Sequence, residues 1–362
     1  MQFLQNILLE LKKLVFCISV LYLNPLSAQT DFFNSNIEFS ETQLSNFYSS
    51  FSVDSMQVYF IANDYTVYAY NKKNGVLNWK YYLANKTNTS PKVFQNTILV
   101  TKHFDEYLNR TIQINSKSGD TIQTLKVDVL ETNPFLKNSI MYCTAIAAEI
   151  GGAILAYDLK KNAIVWQKFI AHGSSAQPYF FENKIVANAE SDNWFEIDYN
   201  GKLMDTTCVN NANLYAEDIK CVKNYRFLTH DKKEISQSFI IKNFISSIDF
   251  TFKYQENSTF VLGNETLLIL GNKKKIRSKI ELTELLPNIL ADKNNYREIV
   301  KIKKDTIWFF YENSLVEYNY TQNKTLKTID FSKWNPHQVL LDNDILWLIS
   351  NIDGQLYGFK IN

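Results

Sequence analysis

One stretch of this chain occurs twice, and that constrains the fold more than any other feature. Residues 65–83 read YTVYAYNKKNGVLNWKYYL, and the part YAYNKKNGVLNW at 68–79 returns as LAYDLKKNAIVW at 155–166, 87 residues further on (155 − 68). Each copy alternates apolar and polar residues, breaks at a polar turn and resumes in a strand ending in Trp, which is the pattern of a hairpin. A lone hairpin is barely stable in water, so a recurring one predicts a repeat architecture in which neighbours bury each other.

The polar residue that opens the turn serves as a marker. It recurs as Asn71, Asn115, Asp158 and Asn319, each followed four residues later by Gly or Asn. Asp198 opens a shortened copy ending at Gly201, and Lys360 holds the marker position after the strand 356–360. Two weaker hairpins, 239–252 turning near Lys242-Asn243 and 266–282 turning at 271–275, fill the gap from Asp198 to Asn319. The segment 284–296, which contains Pro287, is expected as a helical turn or irregular loop. The markers then number eight.

Further strand candidates precede the markers at 58–62, 97–101, 140–144, 184–189, 225–229, 259–262, 306–311 and 345–350. Some are preceded in turn by a shorter segment, as at 91–94 and 177–181. Four strands per repeat of roughly 40 residues is the arithmetic of a propeller blade. The expected fold is all-β, an eight-bladed β-propeller with seven blades as the alternative, in one domain over 29–362. The last copy has three strands, so its outermost strand is expected from 36–39 pairing with 356–360, which covers an exposed edge. The first complete blade would begin within 47–53.

The composition agrees. With 46% hydrophobic and 21% charged residues the chain can bury a large core, and its 46 Tyr and Phe (21 + 25) suit pleated, half-buried surfaces. A formal net charge of +1 gives no bulk attraction to nucleic acid. Lys12 and Lys13 precede the apolar run 14–23, and Leu26-Ser27-Ala28 offers small residues before Gln29, so 1–28 is expected to be a cleaved secretory signal. Export would leave Cys143, Cys208 and Cys221, an odd number, with a 208–221 bridge or buried thiols both open.

The patterns Ala69-x-Asn71-x-x-x-Gly75-x-x-x-Trp79 and Ala156-x-Asp158-x-x-x-Asn162-x-x-x-Trp166 resemble the repeat of the PQQ-like, quinoprotein-type β-propellers. After Asn115 the likeness thins, because Gln123 holds the Trp position. The resemblance implies that Trp79 and Trp166 dock onto the neighbouring blade, with Ala69, Ala156 and Gly75 as their structural companions. One branch of that family binds pyrroloquinoline quinone and calcium and often carries adjacent cysteines; this sequence has no such pair and no Cys-x-x-Cys-His. The resemblance therefore favours the non-catalytic branch, typified by the outer-membrane assembly factor of BamB type. It implies protein partners and no cofactor.

His103, His172, His230 and His337 have no second ligand at metal spacing, and His172-Gly173-Ser174-Ser175 lacks the strand-to-helix elbow of a hydrolase. Glu149-Ile150-Gly151-Gly152 lacks the helix of a phosphate cradle, and the Asn-x-Ser/Thr sequons at Asn85, Asn88, Asn109, Asn257, Asn264 and Asn323 reflect an Asn-rich chain. In a propeller the turns between third and fourth strands share one face, and here they hold Lys72, Lys73, Lys117, Lys160, Lys161, Lys273, Lys274, Lys275 and Lys324. Loops between second and third strands share the other, with Asp64, Asp105, Glu106, Glu149, Glu190, Asp192, Asp231, Glu234, Glu265, Glu312 and Asp353. A disc basic on one rim and acidic on the other is expected, with the two fields orienting it between partners.

The expected role is a monomeric, exported, non-enzymatic interaction scaffold in the cell envelope or outside the cell. Its expected contact residues are Phe104, Asp105, Glu106, Tyr107 and Arg110, with Glu190, Asp192 and Trp194, which mix acidic and aromatic groups. The alternatives are an oxidoreductase with a quinone or small ligand in its channel and a polysaccharide-binding module.

Overall fold

The computed structural model describes residues 31–44, 49–85, 87, 89–104, 108–147, 151–170, 177–188, 194–204, 209–210, 219–220, 251–255, 258–263, 265–271, 275–285 and 296–361. The first blade is an antiparallel meander of Ser50–Val53, Gln57–Ile61, Thr66–Asn71 and Leu77–Tyr82, from inside to outside. The second, third, fifth and sixth blades repeat that order over 92–124, 129–169, 251–281 and 297–330. The fourth has Tyr179–Phe180, Ile185–Asn188 and Trp194–Ile197, with the bridge Ile197 to Leu203 at its outer edge. The closing blade joins Pro336–Asp342, Ile345–Ser350 and Leu356–Lys360 to Asp31–Asn34 from the other end of the chain.

These sheets form an all-β, seven-bladed propeller, the alternative to the eight counted from the markers. The candidate strand 225–229 and the turn at Lys242-Asn243 lie outside the described residues. Phe252, expected in the outer arm of that hairpin, is instead in Thr251–Gln255, the innermost strand of the fifth blade. Between the fourth and fifth blades the described residues also hold a short ladder of Val209–Asn210 with Ile219–Lys220. The start of 284–296 falls in the helical turn Leu282–Leu285.

The burial pattern follows from blades stacked face to face. A second strand has neighbours on both sides and on both faces, so Gln57–Ile61 and Ser258–Leu262 are buried at every position. Outer strands keep water on one edge and alternate, as Leu77–Tyr82 does. The core lies between blades rather than within one. Tyr59, Ile61, Val67 and Ala69 of the first blade, for example, pack against Ile98, Val100, Ile112 and Ile114 of the second.

The ring closes five residues earlier than expected. Phe33 pairs with Gly358 and Asn34 with Tyr357, with a bulge at Phe32. That register places Phe33 opposite the residue two before the marker, where Trp79 stands opposite Ala69. The segment 36–39 does not take the ladder, and Asn36 turns away from strand geometry with a φ of +49°. Gln355 holds it instead, accepting from the Ile37 N–H at 2.9 Å and donating to the Ile37 carbonyl at 2.7 Å.

Candidate interaction surface

Each turn between third and fourth strands is built by its marker. The side-chain oxygen of Asn71 accepts the Lys73 N–H, that of Asn115 the Lys117 N–H, and that of Asp158 the Lys160 N–H, all at 2.9 Å. Asp198 and Asn319 make the same Asx turn. Backbone N–H donation, from Lys161 first and then Lys160, holds the Asp158 carboxyl below the usual carboxylate range. Four residues on, the chain turns left-handed, at φ +69° for Gly75 and +76° for Gly119, so Gly or Asn stands there.

What meets that turn comes from the preceding blade. The Trp79 ring lies over Gly119, whose missing Cβ would fall 2.8 Å from the indole, and Trp79 Nε1 donates to the Ser116 carbonyl at 2.9 Å. Trp166 does the same over Gly201 and donates to Tyr199 at 3.0 Å. Gln123, standing in the Trp position, donates to the Leu159 carbonyl at 3.3 Å. Its turn carries Asn162, whose Oδ1 accepts from the Tyr157 hydroxyl at 2.6 Å. Phe33 completes the set by packing on Gly75. Ala69 and Ala156 are the small partners directly opposite Trp79 and Trp166.

On the opposite face, the acidic residues that open two loops are engaged internally. Asp64 accepts from the Tyr68 hydroxyl at 2.6 Å and Asp353 from the Tyr357 hydroxyl at 2.5 Å. The clean division of charge between faces does not hold. Turns between first and second strands share the face of the marker turns, and they bring Asp54, Asp305, Asp342 and Asp344 there. One of these, Asp342, forms an ion pair with the buried Lys72.

Of the expected contact loops, Asp105, Glu106, Tyr107, Glu190 and Asp192 lie outside the described residues. Trp194 begins the strand Trp194–Ile197. Phe104 is 51% exposed, and its N–H donates to the Leu108 carbonyl at 2.9 Å, drawing the loop ends together. Arg110 is paired within the chain. It forms an ion pair with Asp128, whose carboxyl is raised by burial and lowered in turn by that guanidinium.

The remaining candidates have structural surroundings. His337 Nε2 lies 3.1 Å from the Ser49 carbonyl, and His103 ends the strand Thr97–His103. Burial pushes the Cys143 thiol up to about 12. His172, His230, Cys208 and Cys221 lie outside the described residues. Among the described residues no cluster of three or more His, Cys, Asp or Glu side chains is placed to hold a metal. In the inner ring, Lys253 and Glu298 pair at 3.4 Å across the fifth and sixth blades.

Sequence reasoning missed a cleft on the marker-turn face, at the seam where the closing blade meets the first. It measures about 290 Å³ and is lined by Phe32, Met56, Lys73, Asp342, Ile345 and Lys360 among others.

No family model and no curated protein matches the chain. Among solved structures it is similar to the computationally designed Ika8 protein, at 11% identity over 86% of this chain and 95% of that one, with a TM-score of 0.53. It is similar to BamB from Moraxella catarrhalis at 12% identity over 86% and 82%, TM-score 0.45. A catalytically inactive virginiamycin B lyase from Staphylococcus aureus with quinupristin gives 11% identity over 91% and 99%, TM-score 0.49. BamB and virginiamycin B lyase are both β-propellers. At 11% identity the likeness to the Ika8 protein concerns fold alone.

Proposed function

We propose that this chain is an exported, non-enzymatic propeller that serves as a protein-interaction scaffold in the cell envelope or outside the cell, with a partner docking at Phe104. The observation that carries this reading is the exposure of a large aromatic side chain on a rigid support. The strands on either side, Thr97–His103 and Asn109–Asn115, pair along their full length, so Phe104 sits at a fixed place. An aromatic group with few rotamers, held by a stiff hairpin, loses little entropy on docking, which is why such residues anchor interfaces. Lys102 stands beside it, with its ammonium 5.8 Å from the Phe104 ring and 4.8 Å from that of Tyr81. The docked tryptophans Trp79 and Trp166, with Ala69, Ala156 and Gly75, are assigned to holding blades together and not to contacting partners.

The test is a photo-reactive amino acid placed at 104 in the living source cell, with Leu326 on an outer strand as the control position. A discrete adduct at 104 that is absent at 326 supports the scaffold reading. Equal adducts at both positions, or none, overturn docking at Phe104. N-terminal sequencing of the recovered chain checks export, with Gln29 the expected first residue.

A further inference from the structure

A second cleft lies on the marker-turn face, between the fifth and sixth blades, and measures about 210 Å³. The Trp position of the fifth blade holds Ser278, opposite Ile269. Trp79 and Trp166 reach from that position to the turn of the next blade, whereas a serine side chain is too short to do so, and a hollow is left. One wall is Arg277 of the fifth blade. The other is the sixth blade's turn at Lys303, Lys304 and Asp305, with Tyr320 beside it.

Both walls are held in place. The outer strand bulges at Arg277, whose side chain lies against Gly271, where a Cβ would fall 2.6 Å from the guanidinium Nε. Its Nη1 donates at 2.8 Å to the hydroxyl of Ser258, a residue only 6% exposed. Across the cleft, the Tyr320 N–H donates to the Asp305 carbonyl at 3.1 Å and the Tyr320 hydroxyl to the Lys304 carbonyl, which fixes the turn that presents the two lysines.

We propose that this cleft binds a phosphate group. Its charged lining consists of three cations, Arg277, Lys303 and Lys304, against one carboxylate, Asp305. Among the described residues none of these four forms an ion pair. The Ser258 hydroxyl is neutral and occupies one N–H of a guanidinium that has several, so Arg277 keeps its charge and its remaining donors on a side chain whose position is already set. A planar guanidinium fixed in this way matches two oxygens of one tetrahedral anion, and the exposed ammonium groups of Lys303 and Lys304 close on the others. The surplus of two positive charges (3 − 1) suits a phosphate dianion better than a carboxylate. The volume lies below that of ordinary ligand pockets, roughly 300–1,000 Å³, so the cleft admits the phosphate group and not the body of a nucleotide. The group arrives as the free ion or as the end of an ester.

Arginine labelling tests this directly, because the chain has only four Arg residues. Protein carrying ¹⁵N-arginine is titrated at constant ionic strength with inorganic phosphate, with methyl phosphate and with acetate, and the Arg277→Gln variant assigns the Arg277 side-chain signal. That signal should shift and saturate with phosphate, while the signal of Arg110, which is paired with Asp128, stays in place. Acetate should bind about tenfold more weakly, the worth of one charge-assisted hydrogen bond, and the double variant Lys303→Ala/Lys304→Ala should lose a similar factor for phosphate. An unmoved Arg110 signal in the variant reports an intact fold. Saturation by methyl phosphate as well assigns the site to the end of an ester, and saturation by inorganic phosphate alone assigns it to the free ion; either supports the site. No Arg277 shift at millimolar phosphate, an equal response to acetate, or unchanged affinity in the double variant overturns the proposal.

Discussion

Trp79 in the first blade donates its indole N–H to the carbonyl of Ser116 in the second, at 2.9 Å, and Gln123 makes the corresponding donation to Leu159 at 3.3 Å. A ring is therefore dispensable for the hydrogen bond, though not for filling the seam. This separates two contributions of Trp79 that substitution can measure. Trp79→Phe keeps most of the packing and removes the indole's donation to the Ser116 carbonyl, which then accepts from the Gln57 amide alone, for an expected loss of about 1 kcal/mol. Trp79→Ala removes the packing as well and should cost about 3–5 kcal/mol. Equal urea midpoints for the two variants would show that the indole acts through its N–H alone.

The partner of each bulky group is a turn without a Cβ. Trp79 and Trp166 lie over Gly119 and Gly201, whereas Gln123 faces the turn of Asn162. Gly119→Asn should be destabilising, since Asn tolerates the positive φ but its Cβ strikes the Trp79 ring; overpacking of that kind costs about 1–3 kcal/mol. Adding Trp79→Gln rebuilds the Gln and Asn pairing of the next seam. The double variant should be more stable than the sum of the two losses predicts by about 1 kcal/mol, read from a double-mutant cycle. Strict additivity would mean that the two residues are not matched.

How much of this the sequence revealed depends on where its chemistry is local. The markers Asn71, Asn115, Asp158, Asp198 and Asn319 were legible because an Asx turn needs its side chain and the backbone it binds within a few residues. Phe33 was not, because its partners Gly358, Gly75 and Trp347 are remote in sequence and it has no repeat around it. The acidic residues of the turns between first and second strands were overlooked for another reason: the marker follows one turn per blade. Asp342 on Lys72 shows that the other turn shares the same face. Gln338 at the inner edge, which accepts from the Phe51 N–H and donates to the Phe51 carbonyl, is likewise a contact across the whole chain length.

Lys92 offers a test through pH. Its ammonium is buried, 9% exposed as a residue, and donates to Ser90 Oγ at 3.1 Å; desolvation lowers its pKa. Between that lowered value and the unfolded value of about 10.4, the unfolded chain binds more protons than the folded one, so this group's contribution to stability rises with pH. Below the window its charged form is a standing cost. Lys92→Met should therefore be more stable than the parent at pH 7, and the advantage should shrink as pH climbs through the window. Taking the difference between the two proteins at each pH cancels the other titrating groups. An advantage independent of pH would assign it to packing.

Ring closure rests on Phe33 more than on the length of its strand. The strand Asp31–Asn34 contributes a short ladder, whereas the Phe33 ring lies 5.5 Å from that of Trp347 and 5.0 Å from that of Tyr70 and fills the space over Gly75. Phe33→Ala should cost about 3–5 kcal/mol, a core-sized penalty from a strand of four residues. Removing residues up to 35 has a second consequence. It leaves the outward edge of Leu356–Lys360 without its partner strand, and an unpaired edge recruits another chain. Light scattering should then show concentration-dependent association of the truncated protein, while Phe33→Ala, which keeps the backbone ladder, should remain at the mass of the parent. A truncated protein with the parent's mass and melting temperature would mean that the ring holds without its closing strand.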